Sequence, residues 1–202
     1  QEWVSELLHV SKHIQTDITP ILHVEEIEDL ALHYLEAQLS DLSDKTLVVL
    51  GAGMIGRGLV CDAAPSFKKI IWCYHKNLPD VGEHLNNVNL CTFNDLKDRI
   101  GEADVIISAT EAPGYVLHNG HAPFFDQEKP VLLIDLAMPR NIDPALNHLL
   151  SELTLVDLDG LKSWHRSANV DLSEVFKKCR IVIEEHQEQY ERIIDSFHSG
   201  NA

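Results

Sequence analysis

Three glycines in the 202-residue chain have a spacing that can bind phosphate. They follow the apolar run Thr46–Leu50 ("TLVVL") and precede a segment that can form a helix. In such a G-x-G-x-x-G turn the first glycine permits a tight turn, the second lets a pyrophosphate approach the backbone, and the third lets the helix pack against the strand. The predicted pyrophosphate-binding residues are Gly51, Ala52, Gly53, Met54, Ile55 and Gly56. The alternative is a glycine turn with a purely structural role.

The end of the second apolar run, Lys69–Tyr74, distinguishes between the two nicotinamide dinucleotides. A site for NAD usually places Asp or Glu about 20 residues after the glycines, where it accepts the ribose 2′-hydroxyl. Here the run continues with His75, Lys76 and Asn77, and no acid precedes Asp80. A lysine or histidine can instead meet a 2′-phosphate. We therefore predict NADPH as the cofactor, with a solvated surface lysine as the alternative for Lys76.

Two later clusters follow apolar runs, at positions where open α/β sheets bind ligands. They are Ile107–Pro113 ("ISATEAP") and Ile134–Pro144 ("IDLAMPRNIDP"). We predict that they line the nicotinamide end of the crevice, through Ser108, Ala109, Thr110, Ala112, Asp135 and Ala137. An ion pair between Asp135 and Arg140 that braces the loop is the structural alternative. The spacing identifies no catalytic residue.

The elements that would hold these residues alternate between strand and helix patterns. Short apolar runs separated by helical spans predict a parallel sheet covered on both faces. The predicted fold is α/β: a Rossmann-like, doubly wound, mostly parallel sheet. The predicted strands are Thr46–Leu50, Lys69–Tyr74, Val88–Phe93, Asp104–Ser108, Val131–Asp135 and Leu153–Asp157, and the helices between them are Ile55–Ala64 and Asn94–Ile100.

Helical segments flank this region and divide the chain into three parts. Residues 1–44 form a helical lead-in, with a 3.6-residue apolar period from Glu25 to Leu39. Residues 45–160 form the cofactor domain, and residues 161–202 form a C-terminal helical segment. A heptad-like apolar stripe predicts one long helix over residues 171–198, which needs a partner helix in this chain or in a second copy. We expect a homodimer through this helix, preceded by a solvated linker around His165 and Arg166.

Composition excludes several classes of function. A net charge of −16 leaves no broad basic face, so we expect this portion alone to bind nucleic acid poorly. No apolar run approaches the ~18 residues of a membrane span, and no signal peptide is visible. Four cysteines without a C-x-x-C pair indicate buried thiols in a reducing cytoplasm: Cys61, Cys73, Cys91 and Cys179. The histidine pairs His9/His13 and His118/His121 lack a third ligand at a recognisable spacing, so we predict no metal site.

The motifs together resemble glutamyl-tRNA reductase, the NADPH-dependent enzyme that opens the five-carbon route to tetrapyrroles. That family has a "GAGxMG"-like turn, "NR(T/S)" after strand two, "SAT" or "SST", then "DLAxPRDIDP" and "DDL". This chain has "GAGMIG", "HKN", "SATEAP", "DLAMPRNIDP" and "VDLDGL" in the same order. The fourth motif is the most specific, and the resemblance covers nearly the whole chain. Lys76 stands where the family usually has arginine.

The resemblance implies a cofactor domain that follows a separate N-terminal catalytic domain. In that family a cysteine of the N-terminal domain attacks the glutamyl ester of the tRNA, and hydride from NADPH reduces the thioester to glutamate-1-semialdehyde. None of the four cysteines here lies in such a segment, so we expect this domain to be missing from the sequence. Glutamyl-tRNA would be reached only through the missing domain. We expect the chain alone to bind NADPH and to be inactive on glutamyl-tRNA.

Two alternatives remain open. The chain could be a complete small NAD(P)H-dependent reductase of a tetrapyrrole or another small metabolite. It could also be a non-catalytic module that uses the fold for binding and dimerisation.

Overall fold

The computed structural model describes residues 26–82, 86–168 and 180–181. They include a compact unit from Glu26 to Ala168. The part of the helical lead-in before Glu26 lies outside the described residues. So does the long helix predicted over residues 171–198, apart from Arg180 and Ile181. The boundaries of the terminal domains and the dimerisation helix therefore stay predictions.

Six strands form one all-parallel sheet in the order β3-β2-β1-β4-β5-β6. Each predicted strand is present, and none of the observed bounds differs from the prediction by more than one residue at one end. This confirms the predicted Rossmann-like α/β fold. The strands are β1 (Thr46–Leu50), β2 (Lys69–Tyr74), β3 (Val88–Thr92), β4 (Val105–Ser108), β5 (Val131–Asp135) and β6 (Leu153–Asp157).

The strand order reverses between β1 and β4, which are neighbours in the sheet. Strands are added outward on one side through β2 and β3, and on the other through β5 and β6. Such a reversal opens a crevice at the carboxyl ends of the strands, where ligands bind in this class of fold. The carboxyl end of β1 carries the three glycines, so the fold places them at the crevice.

Alternate residues of each strand point to opposite faces of the sheet. Since the strands carry apolar side chains on both faces, helices cover both. Leu47 and Val49 pack with α1, α2 and α4, whereas Val48 and Leu50 pack with α3 and the 3₁₀ helices. All four side chains are fully buried. The helices are α1 (Ile27–Gln38), α2 (Met54–Ala63), α3 (Leu146–Leu149) and α4 (Leu158–Ala168), with 3₁₀ helices at Phe93–Asp98, Ile100–Glu102 and Asn119–Phe124. Among the described residues, no helix has both the length and the apolar character required to cross a membrane.

The helix predicted over Asn94–Ile100 is instead two short 3₁₀ helices. Their backbone bonds span three residues, as from the Arg99 N–H to the Leu96 carbonyl at 2.9 Å. Only Leu96 and Ile100 are buried in this stretch. Two apolar contacts and a following glycine, Gly101, give too little burial to support a longer α-helix.

The solvated linker predicted around His165 is wrong, because these residues belong to α4. The helix begins directly after β6, and the Asp157 carboxylate accepts the Gly160 N–H at 2.8 Å near the first turn. Leu161 is fully buried, and the Trp164 ring meets the Tyr34 ring of α1 edge-on at 5.1 Å. The prediction was wrong because this stretch is mostly polar and only a few apolar residues hold the helix in place, so the sequence shows no clear helical pattern.

The expected burial of the cysteines is correct for two of the three that the structure describes. Cys73 of β2 lies opposite Cys91 of β3, and both are buried. A hydrogen bond to the Cys91 sulfur, together with burial, raises the pKa of the Cys73 thiol well above its ordinary range. Cys61 of α2 is exposed, so its predicted burial is wrong. Cys179 lies outside the described residues.

Candidate cofactor-binding site

The first glycine of the turn is required by its contacts with the neighbouring strands. Gly51 has a φ of 113°, in the left-handed region that disfavours side chains. Its N–H donates to the Cys73 carbonyl at 3.0 Å, and its carbonyl accepts the Trp72 indole N–H at 2.8 Å. A Cβ here would lie 2.9 Å from the carbonyl carbon of Ala109 and closer still to its oxygen. The turn therefore contacts the ends of both neighbouring strands, β2 and β4.

The other two glycines of the motif differ in what surrounds them. A Cβ on Gly56 would lie 2.9 Å from the carbonyl carbon of Gly51 and closer still to its oxygen, so α2 packs directly on the turn. A Cβ on Gly53 would meet no protein atom within 4 Å. The backbone of Gly53 has a φ of −77°, which any residue can adopt. Protein packing thus explains Gly51 and Gly56, but it does not require a glycine at position 53.

Helix α2 begins directly after Gly53, beside this open space. Gly53 is the N-cap and offers no side chain to accept the first N–H groups of the helix. No acidic residue lies in the first turn. Free N–H groups and the positive end of the helix dipole favour an anion here. The open space at Gly53 and these donors fit a pyrophosphate.

Exposed polar residues follow β2, as predicted. His75, Lys76 and Asn77 are all exposed. The first acid after them, Asp80, accepts the Gly82 N–H at 3.0 Å within its own turn. Among the described residues, Lys76 forms no ion pair with an acid. The strand end therefore presents a positive charge where a site for NAD carries a carboxylate.

The segment after β4 approaches the glycine turn, and a hydrogen bond between the Thr110 and Asn141 side chains holds it there. Ser108 is fully buried, and the Ala109 N–H donates to the Leu50 carbonyl at 2.8 Å. The Thr110 hydroxyl donates to the carboxamide oxygen of Asn141, a residue of the loop after β5. Residues of both predicted clusters therefore lie at one end of the sheet.

The ion pair weighed between Asp135 and Arg140 is not present. Asp135 is buried, and its carboxylate accepts backbone N–H groups of Ala137 at 3.1 Å and of Asn141 and Ile142 at 2.9 Å each. Burial raises the pKa of Asp135, and these backbone donors act against that rise. Arg140 instead pairs with Asp157, at the end of the neighbouring strand.

Three residues that the sequence interpretation did not single out hold the site together. Asn141 is fully buried and joins the two loops, Trp72 donates to the glycine turn, and Asp157 takes the Arg140 guanidinium. The Asn and Asp lie inside motifs that were recognised, but spacing does not show which polar side chain turns inward. Trp72 reads only as an apolar strand residue.

Other groups in the described part of the chain do not form a second candidate centre. No set of three or more His, Cys, Asp or Glu there could hold a metal ion. The His118 and His121 rings meet edge-on, with their centroids 4.3 Å apart, and both residues cap a 3₁₀ helix. A groove of about 570 Å³ runs beside β6, lined among others by Tyr34, Arg140 and Trp164. It contains none of the predicted cofactor residues, so the crevice between β1 and β4 remains the candidate site.

A family model for shikimate / quinate 5-dehydrogenase matches residues 33–164, about two thirds of the chain. The chain belongs to this family. The match runs from α1 to α4 and includes the glycine turn and both later clusters. The matched residues therefore cover the sheet and the candidate site.

The relatives confirm the resemblance to glutamyl-tRNA reductase. The glutamyl-tRNA reductase of Methanococcoides burtonii is 29% identical over 198 residues, which are 93% of this chain and 46% of that protein. The structure of the Methanopyrus kandleri glutamyl-tRNA reductase is similar with a TM-score of 0.62 at 24% identity, over 85% of this chain and 44% of that one. This chain therefore spans about half the length of the relatives it matches.

A third similar protein is the Listeria monocytogenes shikimate 5-dehydrogenase, whose structure contains shikimate and NAD. Its TM-score is 0.51 at 15% identity, over 68% of this chain and 53% of that one. At these identities the two structural similarities show the fold alone.

Proposed function

We propose that this chain is the NADPH-binding portion of a glutamyl-tRNA reductase-like oxidoreductase. The observation that carries the proposal is the contrast among the three glycines. Protein atoms fill the space beside Gly51 and Gly56, and the space beside Gly53 is open at a helix N-terminus. A pyrophosphate in that space accounts for the one glycine that the fold does not need. The names of the curated relatives supply the proposed class of reaction.

NADPH, when bound, would supply a hydride, and the residues of this chain would position it. The N–H groups at the start of α2 would bind the pyrophosphate. Lys76 and His75 would meet the 2′-phosphate, where the absence of an acid removes a repulsive charge. The segments after β4 and β5 would enclose the nicotinamide end. Hydride transfer also needs a substrate-binding part, which in glutamyl-tRNA reductases we expect in the separate catalytic domain.

The first experiment compares the affinity of the chain for NADPH and NADH by fluorescence or calorimetric titration. We expect preferential binding of NADPH. Replacing Lys76 with Ala should weaken NADPH binding about tenfold, because one charge-assisted contact is lost, and should leave NADH binding unchanged. Lys68→Ala removes another exposed lysine, one that precedes β2, and is the matched control. Equal affinity for both cofactors, or equal effects of the two variants, would contradict the proposed choice of cofactor.

The second experiment tests whether this chain binds the cofactor without catalysing the reaction. We expect the 202-residue chain to bind NADPH and to form no glutamate-1-semialdehyde from glutamyl-tRNA. Formation of the semialdehyde by this chain would show that the catalytic group lies within it. Absence of binding at millimolar NADPH would favour a non-catalytic module.

We further propose that the chain is a cytoplasmic homodimer that pairs through residues 171–198. The support is the heptad-like stripe of the sequence in that segment. Sedimentation analysis of the chain and of a variant truncated after Ala168 tests it. We expect a dimer and a monomer, respectively, and a truncated dimer would refute the proposed interface.

A further inference from the structure

Asn141 lies in the loops beside the cofactor crevice, and both polar atoms of its side chain form hydrogen bonds. It is fully buried. Its amide nitrogen donates to the carbonyls of Ala112 at 3.0 Å and Gly114 at 3.1 Å. Its amide oxygen accepts the Thr110 hydroxyl, with Ser108 farther away at 3.5 Å. Two carbonyls on one side and hydroxyls on the other fit one orientation of the carboxamide.

The backbone of Asn141 is equally well anchored. Its N–H donates to the Asp135 carboxylate at 2.9 Å. Its carbonyl accepts the N–H groups of Val116 at 2.8 Å and Leu117 at 3.1 Å. The residue is therefore fixed to the end of β5, and its side chain reaches from there to the segment after β4.

Segment 110–114 ("TEAPG") is held in a closed ring of hydrogen bonds. The Ala112 N–H donates to the Thr110 hydroxyl oxygen at 3.1 Å. That hydroxyl donates to Asn141, and Asn141 donates back to the Ala112 carbonyl. Ala112 is thus bound through both its N–H and its carbonyl. A ring of this kind holds the segment in one backbone shape.

We propose that Asn141 is a positioning residue for the nicotinamide side of the crevice. Its carboxamide acts as a latch, because its hydrogen bonds fix the backbone of segment 110–114 in the conformation in which this segment lines the crevice. This inference rests on the proposed function. A carboxamide matches the surroundings of this position in the present chain, which call for one acceptor and two donated hydrogens on a short side chain. The "DLAxPRDIDP" motif of glutamyl-tRNA reductases has Asp at this position, so we infer the latch for this chain and not for that family. An ionised aspartate has the same size, but it would place an oxygen beside two carbonyl oxygens and lose both donated bonds.

The test is Asn141→Asp in the 202-residue chain, with two ligands that occupy different parts of the crevice. NADPH fills both halves, whereas 2′,5′-ADP fills only the adenosine half. At pH 8 we expect Asn141→Asp to weaken NADPH binding about tenfold or more and to leave 2′,5′-ADP binding within about twofold. The ratio of variant to wild-type affinity for NADPH should recover as the pH falls, because a protonated aspartate regains one donor.

The controls separate a latch from general damage to the fold. Asn94→Asp adds the same charge at an exposed position and should leave both affinities unchanged. Thr110→Val removes the hydroxyl from the other end of the ring and should reproduce the selective loss of NADPH, even if Asn141→Asp does not fold. Hydrogen exchange at the Ala112 amide should be faster in both latch variants.

The possible results are distinguishable. Unchanged NADPH binding by Asn141→Asp or Thr110→Val would overturn the latch, and so would an equal loss of both ligands. If the wild-type chain binds 2′,5′-ADP and NADPH and only the variants lose NADPH, the inference stands. If the wild-type chain binds neither ligand, the proposed function fails and this inference fails with it.

Discussion

Replacing each glycine of the turn with alanine distinguishes glycines that the fold requires for its stability from a glycine that cofactor binding requires. At Gly51 and Gly56 a new Cβ would lie 2.9 Å from a backbone carbonyl carbon and nearer still to the oxygen. Real Cβ atoms essentially never approach this closely, and the neighbours are backbone atoms that have little freedom to move. At Gly53 the new Cβ would meet no atom within 4 Å. The three variants should therefore fail in different ways.

The expected changes in stability follow from these contacts. Overpacking against backbone should lower the free energy of unfolding by about 2–4 kcal/mol in Gly56→Ala. Gly51→Ala should lose at least as much, because a φ of 113° adds strain to the overlap. In Gly53→Ala the poorer N-cap and the reduced entropy of the unfolded chain nearly offset one another, so we expect a change within about 0.5 kcal/mol.

The assay pairs urea unfolding with NADPH titration at a urea concentration where each variant is folded. Gly53→Ala should retain wild-type stability and bind NADPH about 10–100-fold more weakly, because its methyl group would occupy the space of the pyrophosphate. Wild-type affinity in Gly53→Ala would refute the interpretation of the turn as a binding site. A loss of stability as large as that of Gly56→Ala would show that the open space at position 53 has been misread.

Two further predictions concern stability outside the crevice. Asp157→Ala removes both an acceptor for the Gly160 N–H and the partner of Arg140, and should lower the free energy of unfolding by about 1 kcal/mol in urea titrations. Arg140→Ala, at a half-exposed position, should cost less than about 0.5 kcal/mol, and an equal cost would contradict the capping role. Burial, with repulsion from His118, lowers the pKa of His121 from its ordinary 6.5, so the folded chain binds this proton less readily than the unfolded chain. Protonation of His121 as the pH falls below 6.5 should therefore remove stability that is present above pH 6.5. We expect faster hydrogen exchange at acid pH, after correction for intrinsic rates, at the His118 amide, which donates to His121. Unchanged protection of this amide at acid pH would contradict the prediction.

The strands were predictable because buried parallel strands leave a strong local signal. β1, β2 and β5 contain four or five consecutive apolar residues, which leave little freedom for another interpretation, whereas Asn89 and Thr154 interrupt the apolar residues of β3 and β6. Each of the six runs is nevertheless a strand. Helices that contact the sheet through two or three residues leave a weaker signal. The polar stretch of α4 was mistaken for a linker, and the pair of 3₁₀ helices was mistaken for an α-helix.

The polar partners in the site were less predictable, because sequence spacing gives the location of a loop but not the direction of its side chains. Asp135 and Arg140 lie five residues apart in one motif and were the obvious pair. The chain folds back after β5 so that backbone N–H groups fill the Asp135 carboxylate first. Asp135 and Asp157 occupy matched positions on neighbouring strands, so Arg140 can reach the second carboxylate. The pairing depends on sheet register, which no single motif contains.

The contact between Gly51 and Ala109 gives a physical reason for the two motifs to occur together in one sequence. β1 and β4 are neighbours because the strand order reverses between them, and the Ala109 N–H continues their ladder to the Leu50 carbonyl. The Ala109 carbonyl then occupies the space that a side chain at position 51 would need. A larger residue at 51 would displace the segment after β4, and with it the ring that Asn141 closes. The glycine turn and the "SATEAP" segment are therefore two sides of one site, and a change at either should be felt at both.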